Sequence, residues 1–73
     1  MKTLILGATG GVGQSLARHA AGRVSRLWLS GRNGQILASL ARSLSAHAVP
    51  ADLGNELEVK ALAEEVGPLD LLI

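Results

Sequence analysis

Three glycines near the amino terminus form the most informative pattern in this sequence. Gly7, Gly10 and Gly13 are spaced three residues apart in a segment that follows a short apolar run and opens a helical pattern. In this context such a turn brings bare main chain close to a diphosphate. The free N–H groups of the first helical turn then point at the phosphates, aided by the positive end of the helix dipole. The pattern therefore predicts a phosphate-binding turn.

Each glycine of this turn has a predicted role. Gly7 makes the tight turn, Gly10 leaves the main chain bare for the diphosphate, and Gly13 lets the helix pack closely on the strand. A hydroxyl donor can come from Thr9. The predicted diphosphate-binding residues are Gly7, Thr9, Gly10, Gly11, Val12 and Gly13. The alternative is a turn that is merely flexible, but three glycines at this spacing are unfavourable in a simple connection.

A nucleoside triphosphate-binding loop is the other phosphate site to consider for this segment. That motif requires a glycine five residues before Gly13 and a lysine directly after it. The sequence has Ala8 and Gln14 at these two positions, so no lysine is available to neutralise the β- and γ-phosphates. We therefore exclude nucleoside triphosphate hydrolysis.

The residues after the second predicted strand indicate which dinucleotide binds. An acidic residue there binds the ribose 2′-hydroxyl of NAD, whereas an arginine accommodates the 2′-phosphate of NADP. Residues 1–51 contain six basic side chains and no Asp or Glu. Arg32 follows Gly13 by 19 residues, close to the expected interval of about 20. Ser30 and Asn33 can donate to the same phosphate, so we predict NADP as the cofactor. The alternative is a solvent-facing Arg32.

Strand and helix patterns alternate along the chain with short links. Strands are predicted over residues 2–6, 26–30, 46–49 and 69–73, and helices over residues 11–21, 35–44 and 55–66. In the first helix, Val12, Leu16, Ala17 and Ala20 fall at helical spacing. Asn55 is expected to cap the third helix, with Glu58 completing something close to a capping box. This alternation predicts a parallel sheet with right-handed crossovers.

The predicted architecture is an α/β, Rossmann-type fold with three α/β/α layers and strand order 3-2-1-4. Its ligand is expected at the carboxyl ends of the strands. The chain ends in an apolar strand with an open edge, so residues 1–73 are expected to be the amino-terminal part of a single dinucleotide-binding domain, incomplete at its carboxyl end. We expect an isolated chain of this size to be marginally stable, to self-associate through the open edge, or to need a partner half.

Composition excludes several classes of protein. Hydrophobic residues make up 48% of the chain and Trp28 is its one aromatic residue, which fits an aliphatic sheet covered by helices on both faces. Because the sequence has no cysteine and no cluster of metal ligands, we expect neither disulfides nor a metal site. No apolar run is long enough for a membrane span, and no signal peptide precedes the first strand, so a cytoplasmic location is expected. The arginines form no run with aromatic residues, which argues against nucleic-acid binding.

Four segments of the chain resemble the short-chain dehydrogenase/reductase family. The glycine loop over residues 7–13 looks like the family's cofactor motif, and Ser30-Gly31-Arg32 looks like the NADP-selecting end of its second strand. The segment Ala51-Asp52-Leu53 is similar to the one after the family's third strand, and residues 67–73 look like the approach to its fourth. This resemblance implies that Asp52 contacts the adenine amino group and that Leu53 lines the adenine ring.

The resemblance further implies hydride transfer between NADP(H) and a carbonyl or alcohol. The family's catalytic Ser and Tyr-x-x-x-Lys pair follow its fourth strand, and this sequence contains no tyrosine, so no catalytic residue is predicted within it. A non-catalytic NADP-binding or sensing module and an isolated half-Rossmann fragment remain alternatives. Asp52 also has an alternative role as a cap of the third helix, although Asn55 is better placed for it.

Overall fold

The computed structural model describes all of residues 1–73 as four strands alternating with three helices. The strands are β1 (Lys2–Ile5), β2 (Arg26–Leu29), β3 (His47–Ala48) and β4 (Leu71–Leu72). The helices are α1 (Gly11–Ala20), α2 (Gly34–Leu44) and α3 (Glu56–Val66). All four strands pair in parallel in the order β3-β2-β1-β4, which confirms the predicted fold class and strand order.

The two outer strands are shorter than the apolar pattern predicts. β3 and β4 have two residues each, whereas residues 46–49 and 69–73 were expected to be extended. Main-chain pairing nevertheless runs on past them, because Val49 N donates to Leu29 O and Ile73 N donates to Leu4 O, both at 2.9 Å. The sheet is therefore held together towards the carboxyl ends of its strands, where the ligand is expected.

Helices cover both faces of the sheet, because successive side chains of a strand point to opposite sides. The face under α1 and α2 holds the larger apolar core, and the face under α3 holds the smaller one. The larger core consists of Ile5, Ala8, Ala17, Leu27, Leu29, Leu37, Leu40 and Ala41. The smaller core consists of Leu4, Val49, Ala51, Leu62 and Val66. None of the three helices is long and apolar enough to cross a membrane.

The first helix buries a narrower face than its sequence pattern indicates. Ala17 is fully buried and Ala20 is half-buried, but Leu16 is 38% exposed and Val12 is 78% exposed. Val12 lies in the first turn of α1, directly after the loop that leaves β1 at the carboxyl edge of the sheet. Helical periodicity therefore predicted the helix correctly but not the burial of its first turn, because burial depends on the layer beneath it.

Asparagine side chains cap the second and third helices. Asn33 Oδ1 accepts from Ile36 N at 3.0 Å at the start of α2. Asn55 Oδ1 accepts from Leu57 N at 3.0 Å and from Glu58 N at 3.3 Å, which confirms the cap predicted for α3. The expected capping box is incomplete, because Glu58 Oε1 accepts from the main-chain N–H of Asp52 rather than from that of Asn55.

Lys2 connects β1 to the end of α3. Its ammonium donates to the carbonyl of Val66 in the last turn of that helix, where the helix dipole favours a cation. The same ammonium lies 5.3 Å from the centre of the Trp28 ring, and Trp28 stacks on His47 with ring centres 4.5 Å apart. Trp28 is half-buried beside the α3-side core, so its fluorescence can report on the packing of this layer.

Candidate functional site

Two glycines shape the loop between β1 and α1 for different reasons. Gly7 has a φ of +65°, a left-handed conformation that favours glycine. Gly13 has no room for a side chain, because a Cβ there would lie 2.1 Å from the carbonyl oxygen of Gly7 and 2.9 Å from Ala8 Cα. The start of α1 therefore sits directly against the loop that leaves β1. Gly7 makes the tight turn that the sequence predicts, and Gly13 packs α1 closely on that turn rather than on the strand itself.

Gly10 and Gly11 are not required by packing. A Cβ on Gly10 would lie 3.6 Å from Gly7 O, an ordinary contact, and a Cβ on Gly11 would meet no heavy atom within 4 Å. Both residues are exposed, and so is the neighbouring Val12. The missing side chains therefore leave main chain bare on the outer surface of the loop.

The amino terminus of α1 differs from those of the other two helices in having no side-chain cap. Gly10 is its N-cap residue and has no side chain to accept a hydrogen bond. The first N–H group of α1 to find an acceptor is that of Gln14, which donates to Gly10 O at 2.8 Å. The N–H groups of Gly11, Val12 and Gly13 have no acceptor within the protein. These donors, at the positive end of the helix dipole, have the chemistry that an anionic oxygen needs.

The turn after β2 carries the predicted 2′-phosphate residues in distinct positions. Arg32 is exposed, whereas Gly31 is buried. Asn33 is exposed and its Oδ1 is engaged in capping α2, which leaves its side-chain amide nitrogen as a donor. Ser30 is only 1% exposed, and its hydroxyl oxygen has no hydrogen-bond partner in the protein. The structure therefore places Arg32 and Asn33 at the surface and the Ser30 side chain beneath it.

The segment after β3 is folded by its own aspartate. Asp52 Oδ1 accepts from Gly54 N at 2.9 Å, and Asp52 O accepts from Asn55 N at 3.0 Å. An aspartate commonly forms this local turn with the backbone two residues on. Asp52 is half-buried, and Leu53 beside it is 48% exposed. Asn55 rather than Asp52 provides the side-chain cap of α3, as the sequence analysis favours.

These three turns enclose a cavity of ≈390 Å³ at the carboxyl ends of β1, β2 and β3. Main-chain hydrogen bonds join the turns below it, from Ala8 N to Ser30 O at 2.9 Å and from Ala51 N to Gly31 O at 3.0 Å. The lining residues are Gly7, Gly31, Arg32, Ala51, Asp52, Leu53 and Gly54. Five predicted site residues thus share one cavity, at the edge of the sheet where the ligand was expected.

Two further residues, Ala51 and Gly54, line this cavity and were not predicted from the sequence. The local turn at Asp52 could have been predicted, because an aspartate followed two residues later by glycine is typical of such a turn. A larger cavity of ≈500 Å³ lies between α1 and α2, beside Arg18, and holds none of the predicted residues. An apolar cavity of ≈190 Å³ lies between α3 and the sheet.

No protein-family model matches the chain, but individual proteins and structures do. A short-chain oxidoreductase of Thermus thermophilus is 57% identical with a TM-score of 0.95, over 100% of this chain and 35% of that one. The rhamnolipids biosynthesis 3-oxoacyl-[acyl-carrier-protein] reductase of Pseudomonas aeruginosa is 33% identical over 90% of this chain and 27% of its own length. A short-chain dehydrogenase from Sphingobium yanoikuyae, solved with NADPH, is 28% identical with a TM-score of 0.78, over 89% of this chain and 28% of that one.

The chain therefore spans 27–35% of the length of these three proteins. It has the same fold over its whole length as the corresponding part of the Thermus thermophilus oxidoreductase, which includes the glycine loop, the turn over residues 30–33 (the arginine turn) and the turn over residues 51–55 (the aspartate turn).

Proposed function

The chain belongs to the short-chain dehydrogenase/reductase family, and on that premise we propose that residues 1–73 bind the adenosine and diphosphate portion of NADP(H). One observation carries this proposal. The bare, uncapped start of α1 packs against Gly7, and Gly7 lines a cavity whose wall also includes the exposed Arg32, at the carboxyl edge of a parallel sheet. The free main-chain amides of α1 match the diphosphate of such a ligand, and the Arg32 guanidinium matches its third phosphate.

The main-chain amides at the start of α1 bind the diphosphate in this proposal. The N–H groups of Gly11, Val12 and Gly13 need acceptors, and the bare surface at Gly10 and Gly11 allows phosphate oxygens to approach them. Thr9, in the same loop, adds a hydroxyl donor. The dipole of α1 adds a favourable interaction with negative charge, typically about 0.3–1 kcal/mol at an exposed site.

The arginine turn selects the dinucleotide. Arg32 is exposed and lines the cavity, and its guanidinium can donate two hydrogen bonds to a 2′-phosphate. The side-chain amide of Asn33 is a second donor to that phosphate. Ser30 acts through its main chain, because its carbonyl accepts from Ala8 N and holds the turn against the glycine loop.

The aspartate turn holds the adenine. Asp52 Oδ1 is fixed by the N–H of Gly54, which leaves the second carboxylate oxygen to accept from the adenine amino group. Leu53 is half exposed at the cavity wall and provides an apolar surface for the ring. The solved relative with bound NADPH supports assigning this class of cofactor to the cavity.

The activity proposed for the protein that contains this segment is hydride transfer between NADP(H) and a carbonyl or alcohol. NADP(H) supplies or accepts the hydride, and residues 1–73 bind and orient the cofactor for it. The relatives described above are an oxidoreductase, a reductase and a dehydrogenase, which supports this class of reaction. A module that binds NADP(H) without turning it over is the second candidate, because the residues assigned here bind the cofactor and the same site would serve either function.

Titration calorimetry with NADPH and NADH tests the binding proposal. We expect NADPH to bind at least about tenfold more tightly, because charge-assisted hydrogen bonds contribute about 1.5–3 kcal/mol. Arg32→Gln should remove most of this preference and leave NADH binding unchanged. Arg42→Gln is the matched control, since Arg42 is an exposed arginine on α2 away from the cavity. Equal affinity for the two dinucleotides, or the same loss in both variants, would overturn the proposal.

A further inference from the structure

Gly31 is a glycine for a steric reason. Its backbone does not require glycine, because the glycines with positive φ are Gly7, Gly22 and Gly67. A Cβ on Gly31 would lie 3.0 Å from Thr9 Oγ1 and 3.1 Å from Thr9 Cγ2, closer than side chains normally pack. The Thr9 side chain therefore occupies the space that a larger residue at position 31 would need.

This contact joins the two halves of the cofactor site. Thr9 is tied to α1, because its carbonyl accepts from Gln14 Nε2 at 3.0 Å. Gly31 is tied to the segment after β3, because its carbonyl accepts from Ala51 N at 3.0 Å, and Arg32 follows it directly. The packing of Thr9 on Gly31 is thus a direct side-chain contact between the glycine loop and the arginine turn.

We propose that Thr9 packed on Gly31 sets the distance between the amino terminus of α1 and the Arg32 guanidinium, and thereby the preference for a dinucleotide with a 2′-phosphate. This inference rests on the proposed function. NADP(H) has its diphosphate and its 2′-phosphate at a covalently limited separation, so one ligand engages both groups of donors only when the two turns are correctly spaced. NAD(H) engages the diphosphate donors and the adenine turn but has no 2′-phosphate for Arg32, so its affinity depends less on that spacing. Thr9 and Gly31 are therefore positioning residues for specificity.

A double-mutant cycle tests this inference. Gly31→Ala should weaken NADPH binding about tenfold and NADH binding less than about twofold, because the glycine loop and the arginine turn must move a few tenths of an ångström apart to admit the added methyl beside Thr9. Thr9→Ala removes the two close atoms, Oγ1 and Cγ2, and leaves only Thr9 N at 3.5 Å, an ordinary contact. The double variant Thr9→Ala/Gly31→Ala should therefore regain the NADPH-to-NADH affinity ratio of Thr9→Ala alone. Gly34→Ala is the matched control three residues further on, at the start of α2, since its Cβ would lie 3.8 Å from Pro50 Cγ, an ordinary contact. It should leave the ratio unchanged.

Urea unfolding of the same variants without cofactor provides a second cycle, which measures the steric contact itself. Coupling between positions 9 and 31 in both cycles supports the inference. Coupling between the two positions in urea unfolding, with an unchanged NADPH-to-NADH affinity ratio, would overturn the inference. The contact would then be purely structural, and the proposed function would still stand. A wild-type chain that prefers NADPH but shows no coupling in either cycle would also overturn it. If the wild-type chain binds neither dinucleotide, the proposed function fails and this inference fails with it.

Discussion

Replacing Gly13 with alanine would force α1 away from the loop that follows β1. The new Cβ would lie 2.1 Å from Gly7 O, whereas ordinary contacts begin near 3.4 Å, so the helix and the loop must separate by more than 1 Å. Overpacking of this kind costs about 1–3 kcal/mol, and alanine returns up to about 1 kcal/mol through its higher helix propensity. We expect a net loss of about 1–2 kcal/mol in the free energy of unfolding.

Urea unfolding followed by Trp28 fluorescence and far-UV circular dichroism measures this loss. It is a large fraction of the stability expected for a domain of this size, about 3–5 kcal/mol. Gly11→Ala is the control, because it lies in the same helical turn with no heavy atom within 4 Å of the added Cβ. It should keep or slightly raise the stability while weakening NADPH binding, since its methyl covers the bare main chain.

The two variants separate the packing role of one glycine from the binding role of the other. A Gly13→Ala chain as stable as the wild type, with unchanged NADPH affinity, would refute the reasoning from steric contact. A Gly11→Ala chain with wild-type NADPH affinity would refute the assignment of bare main chain at that position to the diphosphate.

Two further predictions concern stability. Asn55→Ala should lower the free energy of unfolding by about 1 kcal/mol, because the N–H groups of Leu57 and Glu58 lose their acceptor. Asn55→Asp should restore the wild-type stability. Equal urea midpoints for the two variants would contradict this prediction. Lys2→Met should cost about 0.5–1.5 kcal/mol through the lost hydrogen bond to the α3 carbonyl and should alter Trp28 emission, whereas Lys60→Met should do neither.

The order of elements and the site of the glycine loop could be predicted from local sequence. The spacing of apolar residues and the positions of turn residues predict the alternation of strands and helices. The preference for parallel strands with right-handed connections then restricts the strand order. The N-cap at Asn55 was predictable because it depends on the adjacent residues alone. The ends of β3 and β4 were not, since two-residue strands carry little periodic signal.

Burial and contacts between distant residues could not be predicted in the same way. Val12 has helical spacing but lies in a first turn that no other layer covers, and Ser30 is buried although it precedes a surface turn. The packing of Thr9 on Gly31 depends on how two crossover connections approach each other in space. Glu58 accepts from the N–H of Asp52 because the turn before α3 folds back towards that helix.

The most direct test of the account is to follow each main-chain amide by ¹H–¹⁵N nuclear magnetic resonance while NADPH is added to the chain. We expect the largest shifts at Gly11, Val12 and Gly13, where the amides of α1 have no acceptor, and at the Arg32 turn. The side-chain-capped starts of α2 beyond Asn33 and of α3 should shift much less. Unchanged α1 amides at saturating NADPH, or larger shifts at the start of α3, would contradict the claim that the bare start of α1 binds the diphosphate.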